Sequence, residues 1–262
     1  MTVLPFWVDL HIHTVLSPCG ELEMGAPDIA EACRRAGVAL CAITDHNASD
    51  NARAVAEAAG GYPVVLPGIE VQTAEDIHLV TVFPSPEDAA EFQEWLWKRM
   101  GKVENRPEIF GEQLIIDKEN QIIGEQEILL VQGVGYTADE TAAEAMSRGA
   151  IVILAHLDRP SFSYEAVLGP VPDDFPCHAF ELSSSVSHEG FSEWRDRYPG
   201  RVFIRSSDSH RLFDISRARC TVMMMKAPAF EEVKMALMGL DGRSVICPWG
   251  EGPLSGRESS DG

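Results

Sequence analysis

The chain has 262 residues, 45% of them hydrophobic, which is enough for one large domain with a single core. It contains 41 acidic residues but only 21 lysines and arginines, giving a formal net charge of −20. This charge repels a phosphate backbone, so we expect no general nucleic-acid binding. No apolar run reaches the ~18 residues of a membrane span, so we expect no membrane association either.

Cysteine usage is typical of a reducing compartment. The six cysteines form no CxxC pair and follow no spacing of a disulfide framework. The segment "MTVLPFW" also lacks the basic region with which secretion signals begin. We therefore expect a cytoplasmic protein.

Seven short apolar runs, each bounded by turn residues, have the length of β-strands. They cover residues 6–13, 38–46, 62–71, 77–83, 150–157, 178–185 and 201–210. Most of them are too continuously apolar for a sheet with one wet face, which indicates strands that are covered on both sides.

Helix-like segments lie between and after these runs. They begin at Pro27, Ser85, Thr137 and Pro228. The first three end at or near Gly37, Gly101 and Gly149. Thr137 and Glu140 have the spacing of a capping box. Strands that alternate with helices predict an α/β fold with a mostly parallel sheet, either a closed barrel or a doubly wound open sheet.

Residues 102–136 interrupt this alternation. The segment "EQLIIDKENQIIGEQEILLVQG" predicts a β-hairpin around the turn "DKEN", inserted between a helix and the next unit. We predict one domain over residues 1–248 that contains this insertion. Residues 249–262 are rich in Gly and Ser and predict a disordered tail.

The first strand carries two histidines. His11 and His13 are two residues apart, so their side chains leave the same face of the strand, and by the same alternation Asp9 joins them. Clustered imidazoles removed from water need a compensating partner, and neutral imidazole is the commonest metal ligand. This face therefore predicts a metal site.

Polar residues also end four other runs, at the carboxyl edge where α/β barrels and open sheets place their active sites. They are Asp45 with His46, Glu70, His156, and Asp208 with His210. His78 instead begins its run, which suits a strand antiparallel to its neighbours or a ligand supplied just after a turn. Six of the eight histidines fall in these motifs, more than one tetrahedral ion can use, so the pattern predicts a multinuclear site.

The ligand types indicate the metal and the substrate. Imidazole combined with carboxylate suits Zn, Mn or Fe, and we expect two to three divalent ions. Two such ions against Glu70 and Asp208 leave a positive pocket, which favours a small phosphorylated substrate and phosphoester hydrolysis. Arg159 in "HLDRP" is a candidate phosphate clamp, although a loop arginine is equally often a solvated charge.

The ordered motifs "DLHIHT", "ITDHN", "GIE", "AH" and "SDSH" resemble those of the PHP (polymerase and histidinol phosphatase) family over about residues 9 to 210. The resemblance implies a distorted (β/α)7 TIM-like barrel with a trinuclear centre. In the family pattern the first ion is held by His11, His13, Glu70 and Asp208. Glu70 bridges to a second ion held by His78 and His156, and the third takes His46 and His210.

The loop after "HIHT" departs from the family pattern. Several relatives supply a histidine or aspartate there, whereas this sequence has "SPCGE". Cys19 is the nearest candidate ligand for the third ion, and Glu21 is the alternative. Asp9 and Asp45 fit the family picture as partners that orient the imidazoles.

These observations predict a metal-dependent phosphoesterase that acts on small phosphomonoesters or nucleotide-type substrates through a metal-bound hydroxide. Glu70, Asp208 and Arg159 are the expected catalytic groups. One alternative is a non-catalytic, metal-stabilised module that binds a partner through the inserted hairpin. Another is a metal-dependent amidohydrolase, which is less favoured because no strand ends in a lysine suited to carboxylation.

Overall fold

The computed structural model describes residues 2–249, which contain β-strands, α-helices and two short 3-10 helices. The strands are β1 (Leu4–Ile12), β2 (Leu40–Ile43), β3 (Val64–Gln72), β4 (His78–Val82), β5 (Leu114–Ile116), β6 (Ile122–Glu125), β7 (Ile151–Leu154), β8 (Ala179–Glu181), β9 (Phe203–Ile204), β10 (Thr221–Met225) and β11 (Ser244–Ile246). The helices are α1 (Ala26–Ala36), α2 (Ala52–Ala59), α3 (Pro86–Trp97), α4 (Pro107–Phe110), α5 (Ala138–Ser147), α6 (Tyr164–Leu168), α7 (His188–Arg197) and α8 (Phe230–Leu237).

Nine strands form one sheet in the order β11-β10-β1-β2-β3-β4-β7-β8-β9. The segment after β9 returns to β1, where Ile12 pairs in parallel with Ser209 and the His13 amide donates to the Ser209 carbonyl at 3.0 Å. The strands from β1 to β9 in this order therefore make a nearly closed barrel. This confirms the predicted α/β, TIM-like barrel.

Strand direction within the barrel is mostly parallel, as predicted. β4 is the exception, because it pairs antiparallel with both β3 and β7. That arrangement confirms one of the two explanations for His78 at the start of its run. β10 and β11 continue the sheet beyond β1 with antiparallel pairings.

Apolar side chains alternate between the inside and the outside of the barrel wall. Leu40 and Ala42 of β2 belong to an inner cluster that α8 covers with Phe230 and Val233. Cys41 and Ile43 of the same strand pack outward against α1 and α2. A second outer cluster joins α3 and α5 to β3 and β4. Strands buried on both faces explain why the sequence shows continuous apolar runs.

The predicted helices form where their end signals lie. Gly37 ends α1 in the left-handed conformation with φ 67°, and its amide donates to the Arg34 carbonyl. Thr137 and Glu140 form both bonds of the predicted capping box at the start of α5. α3 ends at Trp97, short of the predicted end near Gly101. None of the helices within residues 2–249 is long and apolar enough to cross a membrane.

The inserted hairpin forms as predicted, with β5 antiparallel to β6. Its base is fastened to the barrel by two buried amides: Asn47 donates to the Leu130 carbonyl at 2.7 Å, and Asn51 to the Leu114 carbonyl at 2.9 Å. Trp249, the first residue of the predicted tail, is instead buried and stacks on Phe191. The rest of that tail, residues 250–262, lies outside the described residues.

Candidate metal centre

Glu70 lies at the centre of a cluster of histidines at the carboxyl edge of the barrel. Its side chain is 1% exposed. Five imidazoles place a ring nitrogen within 3.4 Å of its carboxylate oxygens. They belong to His11, His13, His46, His78 and His156. The barrel thus brings together ligands that are separated by up to about half the chain.

Asp208 and His210 complete this cluster from the loop after β9. Asp208 Oδ1 lies 3.4 Å from His11 Nε2 and 3.3 Å from His13 Nε2. The His210 ring stacks on His13 with centroids 4.3 Å apart. All six histidines of the sequence motifs therefore converge with the two predicted carboxylates, Glu70 and Asp208.

Three groups within this cluster have the spacing of metal sites, since the ligand atoms of each group lie within 4.8 Å of one another. They are His11, His13 and Glu70; His46, Glu70 and His78; and His13, His46 and His210. Glu70 belongs to two groups, as a bridging carboxylate would. His156 Nε2 approaches the second group, at 3.2 Å from Glu70 Oε1.

Unpartnered ring nitrogens test whether these residues fit a metal. His46 Nδ1 lies 3.0 Å from Glu70 Oε2, yet it has no hydrogen bond to any described group. A buried polar atom of this kind is rare in proteins unless a ligand or ion satisfies it. In His78 and His156 the ring nitrogens that face Glu70 are Nδ1 and Nε2, at 2.9 and 3.2 Å from Oε1. The imidazole and carboxylate donors therefore fit divalent metal ions.

The electrostatics of the cluster show the same need for cations. Burial opposes protonation of His13, but Asp208 and Glu70 outweigh it and raise its pKa to about 9. His11 follows the same pattern, mainly because of Glu181 and Glu70, and its pKa lies well above the usual value. Without metal, protons supply the positive charge that the buried carboxylates require.

Other imidazoles in the cluster are held neutral. Burial is the main cause that lowers the pKa of His78 to about 4, and burial together with the nearby His13 does the same for His210. A neutral imidazole has a free lone pair and needs no proton release to bind an ion. These two side chains are therefore ready to act as ligands at neutral pH.

Glu181 is a site residue that the sequence analysis missed. It ends β8, is 1% exposed, and accepts a hydrogen bond from His11 Nδ1 at 3.0 Å. The same oxygen accepts the His156 backbone amide at 3.2 Å. This carboxylate fixes the ring of His11 with Nε2 towards Glu70. The signal was present, because "AFE" ends an apolar run just as "GIE" does.

Asp45 orients one imidazole indirectly. Its Oδ1 accepts hydrogen bonds from the Thr14 amide at 2.7 Å and from Ser17 Oγ at 2.7 Å. Ser17 Oγ in turn lies 2.9 Å from His13 Nδ1. The chain Asp45–Ser17–His13 therefore holds the ring of His13, in the supporting role that the family pattern implies.

The interpretation of Asp9 is wrong. The pairing of β1 with β2 shifts register between Asp9 and Ile12, so Asp9 and His11 do not share a face. Among the described residues Asp9 contacts no imidazole ring; its Oδ1 accepts the Ser207 amide at 3.0 Å and the His11 backbone amide at 3.4 Å, and its Oδ2 lies 3.7 Å from Cys220 Sγ. Its role is to fasten the loop that carries Asp208.

The backbone is strained at two of the converging residues. His156 has φ 29° and Asp208 has φ 47°, values that residues other than glycine rarely adopt. His156 lies two residues after the end of β7, and Asp208 lies four residues after the end of β9. Strain of this kind clusters at functional sites, where the surrounding structure holds it in place.

Cys19 and Glu21 lie at the rim of the cluster. Burial lowers the pKa of His46, but Cys19 and Glu70 outweigh it and raise it to about 9. Cys19 is exposed and belongs to none of the three groups described above. Glu21 pairs with Arg211 at 2.7 Å. Cys19 as a third-site ligand remains a prediction.

Arg159 reaches the cluster from the loop after β7. Its guanidinium pairs with Asp208 Oδ2, and its side chain is 43% exposed. Burial of Arg159 is outweighed by Asp208, which raises the pKa of the guanidinium. The positive charge of Arg159 is therefore held beside the cluster, on its solvent-exposed side.

No family model and no curated protein matches the sequence. Several solved structures share the fold. A lesion-specific endonuclease from Pyrococcus furiosus has a TM-score of 0.63 at 19% identity, covering 93% of this chain and 58% of that chain. Endonuclease Q, solved with a 27-mer duplex carrying an abasic lesion at its active site, has the same TM-score.

A third similar structure is a protein from Bifidobacterium adolescentis assigned as a metal-dependent phosphoesterase. Its TM-score is 0.52 at 18% identity, and the match covers 78% of this chain and 87% of that chain. The present chain thus spans little more than half of the endonuclease but most of this protein. At these identities the likeness establishes the barrel fold.

Proposed function

We propose that the protein is a metal-dependent hydrolase of phosphoesters, built on a PHP-type centre. The observation that carries this proposal is the convergence of six imidazoles on Glu70 and Asp208 at one edge of the barrel. The fold is shared with an endonuclease and with a protein assigned as a phosphoesterase, which supports the same class of chemistry.

Three ion positions follow from the grouping of ligands. His11, His13, Glu70 and Asp208 would hold one ion, and Glu70, His78 and His156 a second. His46 and His210 would hold a third, completed by Cys19. Divalent ions bound in such clusters activate water and neutralise charge on phosphoryl oxygens.

The chain's own residues prepare the site for a phosphoryl group. Glu181 and Ser17 hold the rings of His11 and His13, so that their Nε2 atoms converge within 3.2 Å. Arg159 supplies a guanidinium that can leave Asp208 in part and donate to a phosphoryl oxygen. This arrangement suits a tetrahedral dianion.

A small substrate fits the charge of the protein better than a long polyanion. The net charge is −20, and several arginines near the site already pair with acidic side chains, including Arg211 with Glu21 and Arg219 with Asp214. Although endonuclease Q was solved with a DNA duplex, the charge of the present chain disfavours such a ligand. We therefore propose a small phosphomonoester or nucleotide-type substrate.

The experiment combines metal analysis with phosphate release. Protein purified without added metal should contain about two to three transition-metal ions per chain and hydrolyse phenyl phosphate. Asp208→Asn should lose at least ~100-fold in kcat/KM while keeping its circular dichroism spectrum. Asp241→Asn, at an exposed aspartate, is the matched control. A fully metallated sample that releases no phosphate from mono- or diesters contradicts the proposal.

A further inference from the structure

Phe162 is an exposed aromatic residue beside the metal centre. It is 41% exposed, and its ring stacks on His78 with centroids 4.7 Å apart and planes inclined by 22°. His78 is one of the imidazoles that contact Glu70, with Nδ1 at 2.9 Å from the carboxylate. The phenyl ring therefore lies directly against a ligand of the proposed second ion.

Packing of the core does not explain this ring. Phe162 belongs to none of the three hydrophobic clusters formed by the described residues. His78 is the one aromatic ring of the described chain that stacks on it. One face of the phenyl ring thus covers His78, while the exposed part of the ring offers apolar surface that a ligand can reach.

The backbone holds Phe162 in an unfavourable conformation. Its φ is 58°, a value that suits glycine and makes a bulky residue an outlier. The Phe162 carbonyl accepts the His78 amide at 2.8 Å. In the next residue, Ser163 Oγ donates to the Arg159 carbonyl at 2.7 Å and caps α6. The loop is therefore fixed on both sides of Phe162, and strain of this kind clusters where ligands bind.

The same loop also carries a positive charge for a phosphate. Arg159 lies three residues before Phe162, and its guanidinium pairs with Asp208 at the metal centre. A flat group stacked on the far face of Phe162 at van der Waals contact would lie roughly 8 Å from the His78 ring. The ribose of a nucleotide separates its base from its phosphate by a comparable length. One loop thus offers separate contacts for the two ends of a nucleotide.

An accessible phenyl ring selects flat surfaces rather than hydroxyl groups. Every nucleobase has a π-face, so stacking on such a ring is tolerant of base identity. A sugar phosphate that lacks a base would leave Phe162 without a contact. The net charge of −20 opposes a long polyanion, but a single phosphate at the metal centre meets the ions and Arg159.

We propose, on the basis of the phosphoesterase function above, that Phe162 binds the base of a nucleoside monophosphate and makes this class the preferred substrate. In the reaction, a water oxygen bonds to phosphorus and the ester P–O bond breaks. The leaving oxygen takes a proton, and the products are the nucleoside and inorganic phosphate. Phe162 is a specificity-determining residue that contacts the base and moves no proton.

The test compares two substrates that differ by the base. kcat/KM is measured for AMP and for ribose 5-phosphate with the metal-loaded wild type, Phe162→Leu and Phe162→Gly. The wild type should prefer AMP, and each substitution should lower kcat/KM for AMP by about 5- to 100-fold, the range that one base–aromatic stack contributes. The value for ribose 5-phosphate should change by less than about twofold, because this substrate has no base to stack.

The two variants keep a structural effect apart from the loss of stacking. Leucine retains an apolar cover on His78, whereas glycine adopts a φ of 58° without strain, so the test does not depend on the folding of one variant. Elemental analysis should find the wild-type metal content in both, since a phenyl ring supplies no ligand atom.

Tyr62→Leu is the matched control. Tyr62 is also an exposed aromatic residue, at 48%, but it precedes β3 and so lies at the amino edge of the barrel, opposite the metal centre. This variant should keep the wild-type ratio of kcat/KM for AMP to that for ribose 5-phosphate.

The outcomes separate this inference from the function on which it rests. No phosphate release from AMP, ribose 5-phosphate or phenyl phosphate overturns both. Phosphate release with Phe162 variants whose two kcat/KM values fall equally, or do not fall, overturns only the inference. A wild type that does not prefer AMP overturns it as well. Loss of bound metal in both variants would assign Phe162 to the shielding of His78 and would also overturn it.

Discussion

The hydrogen bond from His11 to Glu181 should control metal affinity. Glu181 Oε1 lies 3.0 Å from His11 Nδ1, while His11 Nε2 lies 3.2 Å from Glu70 Oε1 on the other side of the ring. Because Glu181 accepts at Nδ1, the proton on that nitrogen is retained, and Nε2 is the nitrogen that would give up its proton to bind an ion. Loss of such a partner typically costs about 10- to 100-fold in metal affinity or activity.

Two substitutions separate the contribution of the Glu181 charge from that of its hydrogen bond. Glu181→Gln keeps an acceptor oxygen for His11 but removes the charge, so we expect a loss of metal affinity of about tenfold. Glu181→Leu removes both and also leaves the His156 amide without its acceptor. We expect about 100-fold weaker metal binding and a loss of roughly 1–3 kcal/mol in the free energy of unfolding.

The assay is competition for Zn²⁺ against a chelator of known affinity, with ¹⁵N NMR of the histidine rings to follow the tautomer of His11. Glu232→Gln is the control, since it weakens an ion pair between Glu232 on α8 and Arg243, the residue just before β11, rather than a contact at the site. Wild-type metal affinity in both Glu181 variants would refute the role assigned to this carboxylate. A changed affinity in the control would point to a general loss of stability instead.

Two further predictions concern Cys19 and His178. Cys19→Ser should lose one transition-metal ion per chain by elemental analysis, and an unchanged metal count would show that the thiol is not a ligand. His178 Nδ1 accepts the Val152 amide at 3.1 Å, and burial, with Lys234, lowers the His178 pKa to about 4. Its contribution to stability is therefore present above about pH 6.5 and lost as the pH falls towards 4. The urea midpoint of His178→Asn should fall less between pH 7 and pH 5 than that of the wild type or of His188→Asn, and equal falls would contradict the assignment.

The sequence by itself predicted an α/β fold and most of the candidate ligands, while the choice of a barrel over an open sheet came from the resemblance to the PHP family. Strands that are covered on both faces must be apolar along their length, so a polar residue at the end of such a run stands out. Glu70, His156 and Asp208 could be recognised for this reason. The direction of β4 could also be anticipated, because His78 opens its run and does not close it.

Only the tertiary structure decided which of these side chains touch. The register shift in β1 separates Asp9 from His11, and no periodicity in the sequence reveals a bulge. Glu181 meets His11 across 170 positions of sequence, a contact that depends on closure of the barrel. Residue types and local periodicity can be read directly from the sequence. Contacts between residues far apart in the chain depend instead on how the strands close into a barrel.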